Sequence, residues 1–205
     1  MPTQRDLSIR RGETFDLAVR WESDLWLYSA IAAISKTAPV RITHAGAASP
    51  IPDGWEVAVV DAQGLAQLNA TSNPPKPKDM RRATVLSATE IEFNSISAAA
   101  YGAHRAGTGY LAWRAPHALA GYRARMQIKD RVGGVVLFTL TSDPDGGITL
   151  DDANKVIELT LSDLQTEAVL KSGGAYDLEL VSPAGTVTAL LAGAITFGEE
   201  ITTIT

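Results

Sequence analysis

Gly174-Ala175-Tyr176-Asp177-Leu178-Glu179-Leu180-Val181, then Ser182-Pro183-Ala184-Gly185, then Thr186-Val187-Thr188-Ala189-Leu190-Leu191-Ala192-Gly193-Ala194-Ile195-Thr196-Phe197, is the stretch from which the fold is read. Apolar side chains recur at every second position, at Tyr176, Leu178 and Leu180, up to a Pro and Gly turn, and resume beyond it. A period of two sends alternate residues to opposite faces of a strand, so the stretch predicts a hairpin with one buried face. It is a scaffold signal, and no stretch of the chain carries a comparable signal for catalysis.

Working back from this hairpin, the same texture recurs. Tyr122, Ala124, Met126 and Ile128 alternate with Arg123, Arg125, Gln127 and Lys129, which predicts a strand with one core face and one basic face. Gly133-Gly134 precedes an apolar run over 135–140, and Asp143-Pro144-Asp145-Gly146-Gly147 turns the chain into 148–151, with a further strand over 155–161. Residues 162–170 read as a helix of two to three turns, because Ser162 and Gln165 have the spacing of a capping box and Gly173-Gly174 ends the segment. At the other end of the chain, Leu7 and Ile9 alternate, Gly12 interrupts, and Phe15, Leu17, Val19 and Trp21 alternate again, predicting two opening strands.

The middle has a different rhythm. Residues 25–34 mix alanine with flanking aromatics and are read as a strand, and short apolar runs follow at 40–43, 55–60, 65–69, 83–86 and 91–93. Pro52-Asp53-Gly54 and the loop Asn73-Pro74-Pro75-Lys76-Pro77 punctuate them, so a small all-β unit is expected. Residues 95–109, rich in Ala and Gly, receive no assignment.

Composition bounds the function. The chain has 205 residues, 45% hydrophobic and 20% charged, enough for one large domain or two small ones. A net charge of -5 argues against a dedicated binder of phosphate backbones, and Lys76, Lys78, Arg81 and Arg82 read as a solvated loop. The absence of cysteine removes disulfides, thiolate metal sites and thiol nucleophiles, and fits synthesis in a reducing cytoplasm. Met1-Pro2-Thr3-Gln4-Arg5-Asp6 is polar where a signal peptide needs an apolar core, and no run reaches the roughly 20 apolar residues of a membrane helix, so no membrane insertion is expected.

Each candidate for chemistry has a plainer reading beside it. Asp143, Asp145, Asp151 and Asp152 offer hard oxygen ligands for calcium, but Pro-Asp-Gly-Gly is also a solvated turn, which is the reading adopted. His44, His104 and His117 lack the paired spacing of a zinc site. Neither a Gly-x-Ser-x-Gly elbow nor a phosphate-cradling Gly-x-x-x-x-Gly-Lys loop occurs, and Gly107-Thr108-Gly109 lacks the setting of a dinucleotide site. The adjacent acids Asp151-Asp152 and Glu199-Glu200 would point to opposite faces of a strand and do not suit a glycosidase. The expectation is therefore no enzyme, no cofactor and no resident metal. Of the tryptophans, Trp21 and Trp113 read as core, while Trp26 and Trp55 remain open as a sugar-stacking platform. Together with Asn73, Pro74, Pro75, Lys76 and Pro77, they are the candidate interaction residues.

Two resemblances bear on the layout. The phrase Ile9, Gly12, Thr14, Phe15, Leu17 at the start is one of them. Its counterparts near the end are Thr166 and Ala168, the strand 176–180, Gly185, Leu190-Leu191 with Gly193, and Glu200-Ile201-Thr202. Together they resemble a β-sandwich domain found in tail and baseplate proteins of tailed bacteriophages, of the upper-baseplate and fibre N-terminal type. The middle, through Pro39-Val40-Arg41-Ile42-Thr43-His44, Pro52-Asp53-Gly54-Trp55, Leu68-Asn69-Ala70, Ala83-Thr84-Val85, Ile91-Glu92-Phe93 and 107–111, is similar to a small β-barrel of phage structural proteins, first recognised as the FCCH domain of ubiquitin-activating enzymes. The resemblance implies an all-β protein: a sandwich from residues 1–25 and 115–205, with a barrel over 26–114 inserted in one of its loops. It also implies a virion structural protein of the tail or baseplate, made in the host cytoplasm, present in symmetric homo-oligomeric copies and attaching fibres or neighbouring proteins, with no nucleic-acid partner. The alternatives are a carbohydrate-binding, receptor-recognising module and a head or collar component.

Overall fold

The structure is a computed structural model that describes residues 2–47 and 49–199. In chain order its strands are β1 (Thr3–Gln4), β2 (Leu7–Arg10), β3 (Phe15–Val19), β4 (Glu22–Ile34), β5 (Val40–His44), β6 (Glu56–Val60), β7 (Arg81–Arg82) and β8 (Thr84–Ser87). They continue as β9 (Glu90–Phe93), β10 (Tyr110–Pro116), β11 (Arg123–Lys129), β12 (Val136–Thr141), β13 (Ile148–Asp151), β14 (Val156–Leu161), β15 (Gly173–Val181) and β16 (Val187–Gly198). One short helix, α1 (Asp163–Glu167), lies among them. The chain divides into two compact units, Met1–Trp21 with Ala118–Thr205, and Glu22–His117.

The first unit is the β-sandwich. β15 and β16 form the hairpin, closed by the pair Val181 and Val187, with Gly185 at φ 82, a left-handed conformation that glycine adopts without Cβ strain. Tyr176, Leu178 and Leu180 are buried, as alternation requires. β15 is central: Leu178 sits opposite Leu191 of β16 and Met126 of β11, and β12 forms the sheet edge beyond β11. β1 and β2 both lie parallel to β16, with Thr3 opposite Leu191 and Leu7 opposite Ile195. Between them the chain approaches Gly193 so closely that a Cβ there would lie 2.2 Å from the Arg5 carbonyl oxygen. Asp6 accepts from the Ala194 amide at 2.9 Å and the Tyr176 hydroxyl donates to the Arg5 carbonyl at 2.6 Å, fixing that approach.

The second sheet runs β13-β14-β3. Gly12, at φ 72, marks the turn after which the chain leaves the first sheet and pairs β3 with β14. Both sheets feed one buried cluster, in which Ile9, Met126, Ile157, Leu159, Leu178 and Leu180 are fully covered and Phe15 and Leu17 pack from the margin. Each such aliphatic side chain contributes about 1.5–3 kcal/mol through apolar burial. Trp21 meets Tyr122 edge-on, with ring centroids 5.5 Å apart. The capping box of α1 forms as its spacing implies: the Ser162 hydroxyl accepts from the Gln165 amide at 3.2 Å, and the Gln165 side chain accepts from the Ser162 amide at 2.8 Å. The helix is shorter than expected, because Thr166 is its only buried residue and Leu164 stays 72% exposed. Without an apolar face to bury, further turns gain little.

The second unit is built on one seven-stranded, nearly closed barrel-like sheet of order β7-β6-β10-β4-β5-β9-β8. The long β4 pairs with β10 on one side and β5 on the other, with a register shift between Ile31 and Ala33 as the strand passes from one to the other. Its core holds Val40, Ile42, Val57, Val59, Ile91, Phe93, Leu111 and the two indoles Trp55 and Trp113. The run 65–69, expected as a strand, is instead a 3-10 turn over Ala66–Leu68. Leu65 and Leu68 are both buried, and the Asn69 side chain bridges back to the Ala62 amide and carbonyl at 2.9 and 2.7 Å, so local side-chain bonding replaces a ladder.

Candidate functional site

The loop 71–80 carries most of the sequence-predicted contact residues, and hydrogen bonds fix its shape. Thr71 donates through its amide (3.0 Å) and its hydroxyl (2.6 Å) to one carboxylate oxygen of Asp79. These bonds, the hydroxyl first, hold the Asp79 carboxyl below its usual range, with Lys78 and Arg81 adding to the effect. Between these ends, Asn73 accepts from the Tyr28 hydroxyl at 2.8 Å and donates to Asp61 at 3.1 Å. Pro77–Asp79 form a 3-10 turn. The loop presents Asn73, Pro74, Lys76 and Pro77 to solvent and buries Pro75.

Trp26 joins this loop to the sheet. It lies on β4 directly opposite Arg114 of β10, and the guanidinium stacks over the indole 4.5 Å from the ring centroid. Arg114 is held in turn by the Asp24 carbonyl at 2.8 Å and the Asp24 carboxylate at 3.2 Å. Trp26, Arg114, Pro75, Pro77 and Met80, with Glu22 and Glu56, line an open cleft of about 470 Å³. Such a volume lies within the roughly 300–1,000 Å³ of ligand pockets. Its chemistry is an apolar floor of indole, thioether and pyrrolidine, flanked by two carboxylates and one guanidinium. An apolar floor with flanking charges is the kind of surface against which a peptide side chain or a sugar ring can pack.

Trp55 does not belong to this surface. It is fully buried, and its indole N–H donates to the Arg114 carbonyl at 2.8 Å. A ring with no exposed face cannot stack on a ligand, so Trp55 is corrected from interaction residue to core residue; the strand that brings Arg114 over Trp26 also uses its backbone to hold Trp55. Arg114, Met80, Glu22 and Glu56 were missed from sequence. The one available signal was the alternation in Trp113-Arg114, which turns Arg114 away from the core face; its pairing with Trp26 depends on strand order.

Other polar groups lie apart from the cleft. Ser29 and His44 are buried; the serine hydroxyl donates to the Gly46 carbonyl at 2.7 Å and lies 2.9 Å from His44 Nδ1, and that nitrogen accepts from the Gly46 amide at 3.2 Å. Burial lowers the His44 pKa and favours the neutral ring that this acceptor role needs. The pair closes the turn after β5. In the first unit, Asp151 caps Asn154, Asp152 binds the Leu119 amide and Lys155, and Asp143 lies 3.4 Å from Arg123. Among the described residues, no three His, Cys, Asp or Glu side chains converge on one point. Glu199 pairs with Arg11 at 2.6 Å, while the expected terminal motif at 200–202 lies outside the described residues. Among the described residues no helix is long and apolar enough to cross a membrane.

No protein-family model matches this chain, and no curated protein matches it.

Proposed function

We propose that this chain is a virion structural protein of a tailed bacteriophage, a non-catalytic tail or baseplate component that attaches fibres or neighbouring proteins. The observation that carries this reading is the layout: a β-sandwich closed by the two ends of the chain, with a barrel-like module inserted between them. That is the arrangement implied by the resemblance to phage modules at both ends and in the middle. Fold alone does not assign function, so the reading also draws on the cleft, where a rigid proline loop meets Trp26. A preorganised apolar cleft loses little entropy when a partner segment enters it, which suits a permanent assembly contact. The partners are other tail, baseplate or fibre proteins, and the site of action is the virion.

Mass spectrometry of purified particles, followed by a density map of the intact tail, tests the proposal. The chain should be present in stoichiometric copies on a symmetry axis or ring, with density from another protein in the Trp26 cleft. Particles lacking the protein would overturn it; density in the head or collar would move the assignment there. A second reading, carbohydrate recognition, draws on the same cleft, because Glu22, Glu56 and Arg114 beside a half-buried indole suit a sugar ring. Glycan binding abolished by Trp26→Ala, with assembly intact, would favour that alternative.

A further inference from the structure

Three contacts meet at the turn that ends β5, and they share too few protons. The Ser29 hydroxyl donates to the Gly46 carbonyl at 2.7 Å and lies 2.9 Å from His44 Nδ1, to which the Gly46 N–H also donates at 3.2 Å. A hydroxyl has one proton, and here it is spent on the carbonyl. The oxygen of Ser29 and a bare Nδ1 therefore face each other with lone pairs at hydrogen-bond distance. A proton on Nδ1 reverses the pattern: the ring donates to Ser29 Oγ, the relay runs on to the Gly46 carbonyl, and the Gly46 N–H loses its acceptor. In either state two of the three contacts are satisfied, so hydrogen-bond count leaves the two states matched and protonation selects between them. Serine and histidine are both buried, and burial sets the balance towards the neutral ring.

The charged groups on the neighbouring elements leave the imidazole alone. On β5 itself, Arg41 pairs with Glu92 of β9 at 3.2 Å, and Glu90 of β9 stands opposite Thr43, which alternation turns to the other face from His44. β4 carries no charged residue from Leu25 to Ile34, and its Tyr28 hydroxyl is engaged with Asn73. Residues 45–47 and 87–89 have no titratable side chain. The backbone around the site is tied independently of Nδ1: His44 N–H donates to the Thr89 carbonyl and Ala45 N–H to the Ala30 carbonyl, both at 2.9 Å. Gly46, at φ 82, is the first residue whose N–H depends on the ring. We propose that this turn is an acid-operated latch, in which a proton taken from solvent by His44 Nδ1 exchanges the Gly46 N–H bond for a bond to Ser29 Oγ and frees residues 46 and 47, while β4, β5 and β9 stay paired. Nε2 keeps its proton in both states. The latch goes beyond the virion reading and does not depend on it.

Nuclear magnetic resonance of the full chain, labelled with nitrogen-15 and titrated with acid, tests it. The His44 ring signals are identified by their loss in His44→Gln. At neutral pH Nδ1 should show the shift of an unprotonated, accepting nitrogen. As His44 titrates, the hydrogen-exchange protection of the Gly46 amide should fall about tenfold or more, the scale of one lost hydrogen bond, while that of Ala45 and His44 holds. Ser29→Ala removes both the acceptor of the protonated ring and the lone-pair contact of the neutral one, so it should lower the His44 midpoint by about one pH unit or more. A serine that instead donated its proton to Nδ1 would stabilise the neutral ring, and its removal would raise the midpoint. If Ser29→Ala fails to fold, the titration of the unaltered chain decides by itself. A neutral ring protonated at Nδ1, a His44 that stays neutral until the chain unfolds, Gly46 protection unchanged across the titration, or a midpoint that Ser29→Ala raises or leaves in place would each overturn the proposal.

Discussion

Leu178→Ala is the sharpest test of how the first unit is held together. Leu178 is fully buried on the central strand β15, with Leu191 on one side and Met126 on the other, and it belongs to the cluster that both sheets share. Removing three carbons forfeits about 2.4 kcal/mol of transfer free energy at about 0.8 kcal/mol per methylene. The cavity term adds to this, because ladders on both sides of β15 restrain the backbone and prevent collapse, so the total should fall near 3–4 kcal/mol, within the range of about 2–5 kcal/mol for leucine truncation in cores. Urea unfolding followed by hydrogen exchange of β11, β15 and β16 reads the effect strand by strand. A loss below about 1 kcal/mol, the scale of a surface change, would refute the shared core. Equal loss of protection in β5 and β9 of the second unit, with little in β11 and β16, would refute the assignment of Leu178 to this cluster.

Trp55→Ala and Trp26→Ala should separate core from cleft: the first should cost about 3–5 kcal/mol through an unfilled cavity, and the second should leave the melting temperature nearly unchanged while abolishing partner binding in a pull-down. Equal destabilisation by the two would contradict the placement of Trp26 on the cleft. Burial lowers the pKa of His44, and of His117, from the ordinary 6.5, so the unfolded chain takes up protons first as pH falls. Stability should thus be insensitive to these rings above the ordinary histidine pKa and decline below it, and His44→Gln should flatten the decline in urea titrations between pH 7 and 5; an unchanged slope would argue against burial of His44 as a cause. Gly193→Val should detach the N-terminal strands, because its side chain would overlap the Arg5 carbonyl, and limited proteolysis should then cut within residues 3–10.

The candidate site was legible in pieces. The proline loop was visible as a break in strand texture, and Trp26 as an aromatic without a settled face. That the two share one cleft follows from Tyr28 gripping Asn73 and from β4 lying against β10, contacts between residues far apart in sequence. Trp55 shows the limit from the other side. It begins a run as apolar as the strands around it, and an indole suits a core and a binding platform equally well by composition; only closure of the sheet over it decided for the core.

By itself the sequence determined what is local. Alternation at 122–128 and 174–197 and the glycine turns specify strands and their reversals, and the Ser162 and Gln165 spacing specifies a helix start, because each is a pattern among residues close together in the chain. It did not determine which strands pair. The two opening segments look alike in sequence, yet β2 lies parallel to β16 while β3 crosses to β14, a choice set by which arrangement buries Leu7, Ile9 and Val19 in one cluster. Nor did it determine the 3-10 turn at Ala66–Leu68, where Leu65 and Leu68 satisfy a strand pattern and a turn pattern alike and Asn69 selects the turn by binding Ala62. Alternation records that a face is buried; what it is buried against depends on the rest of the chain, and that is decided only by tertiary packing.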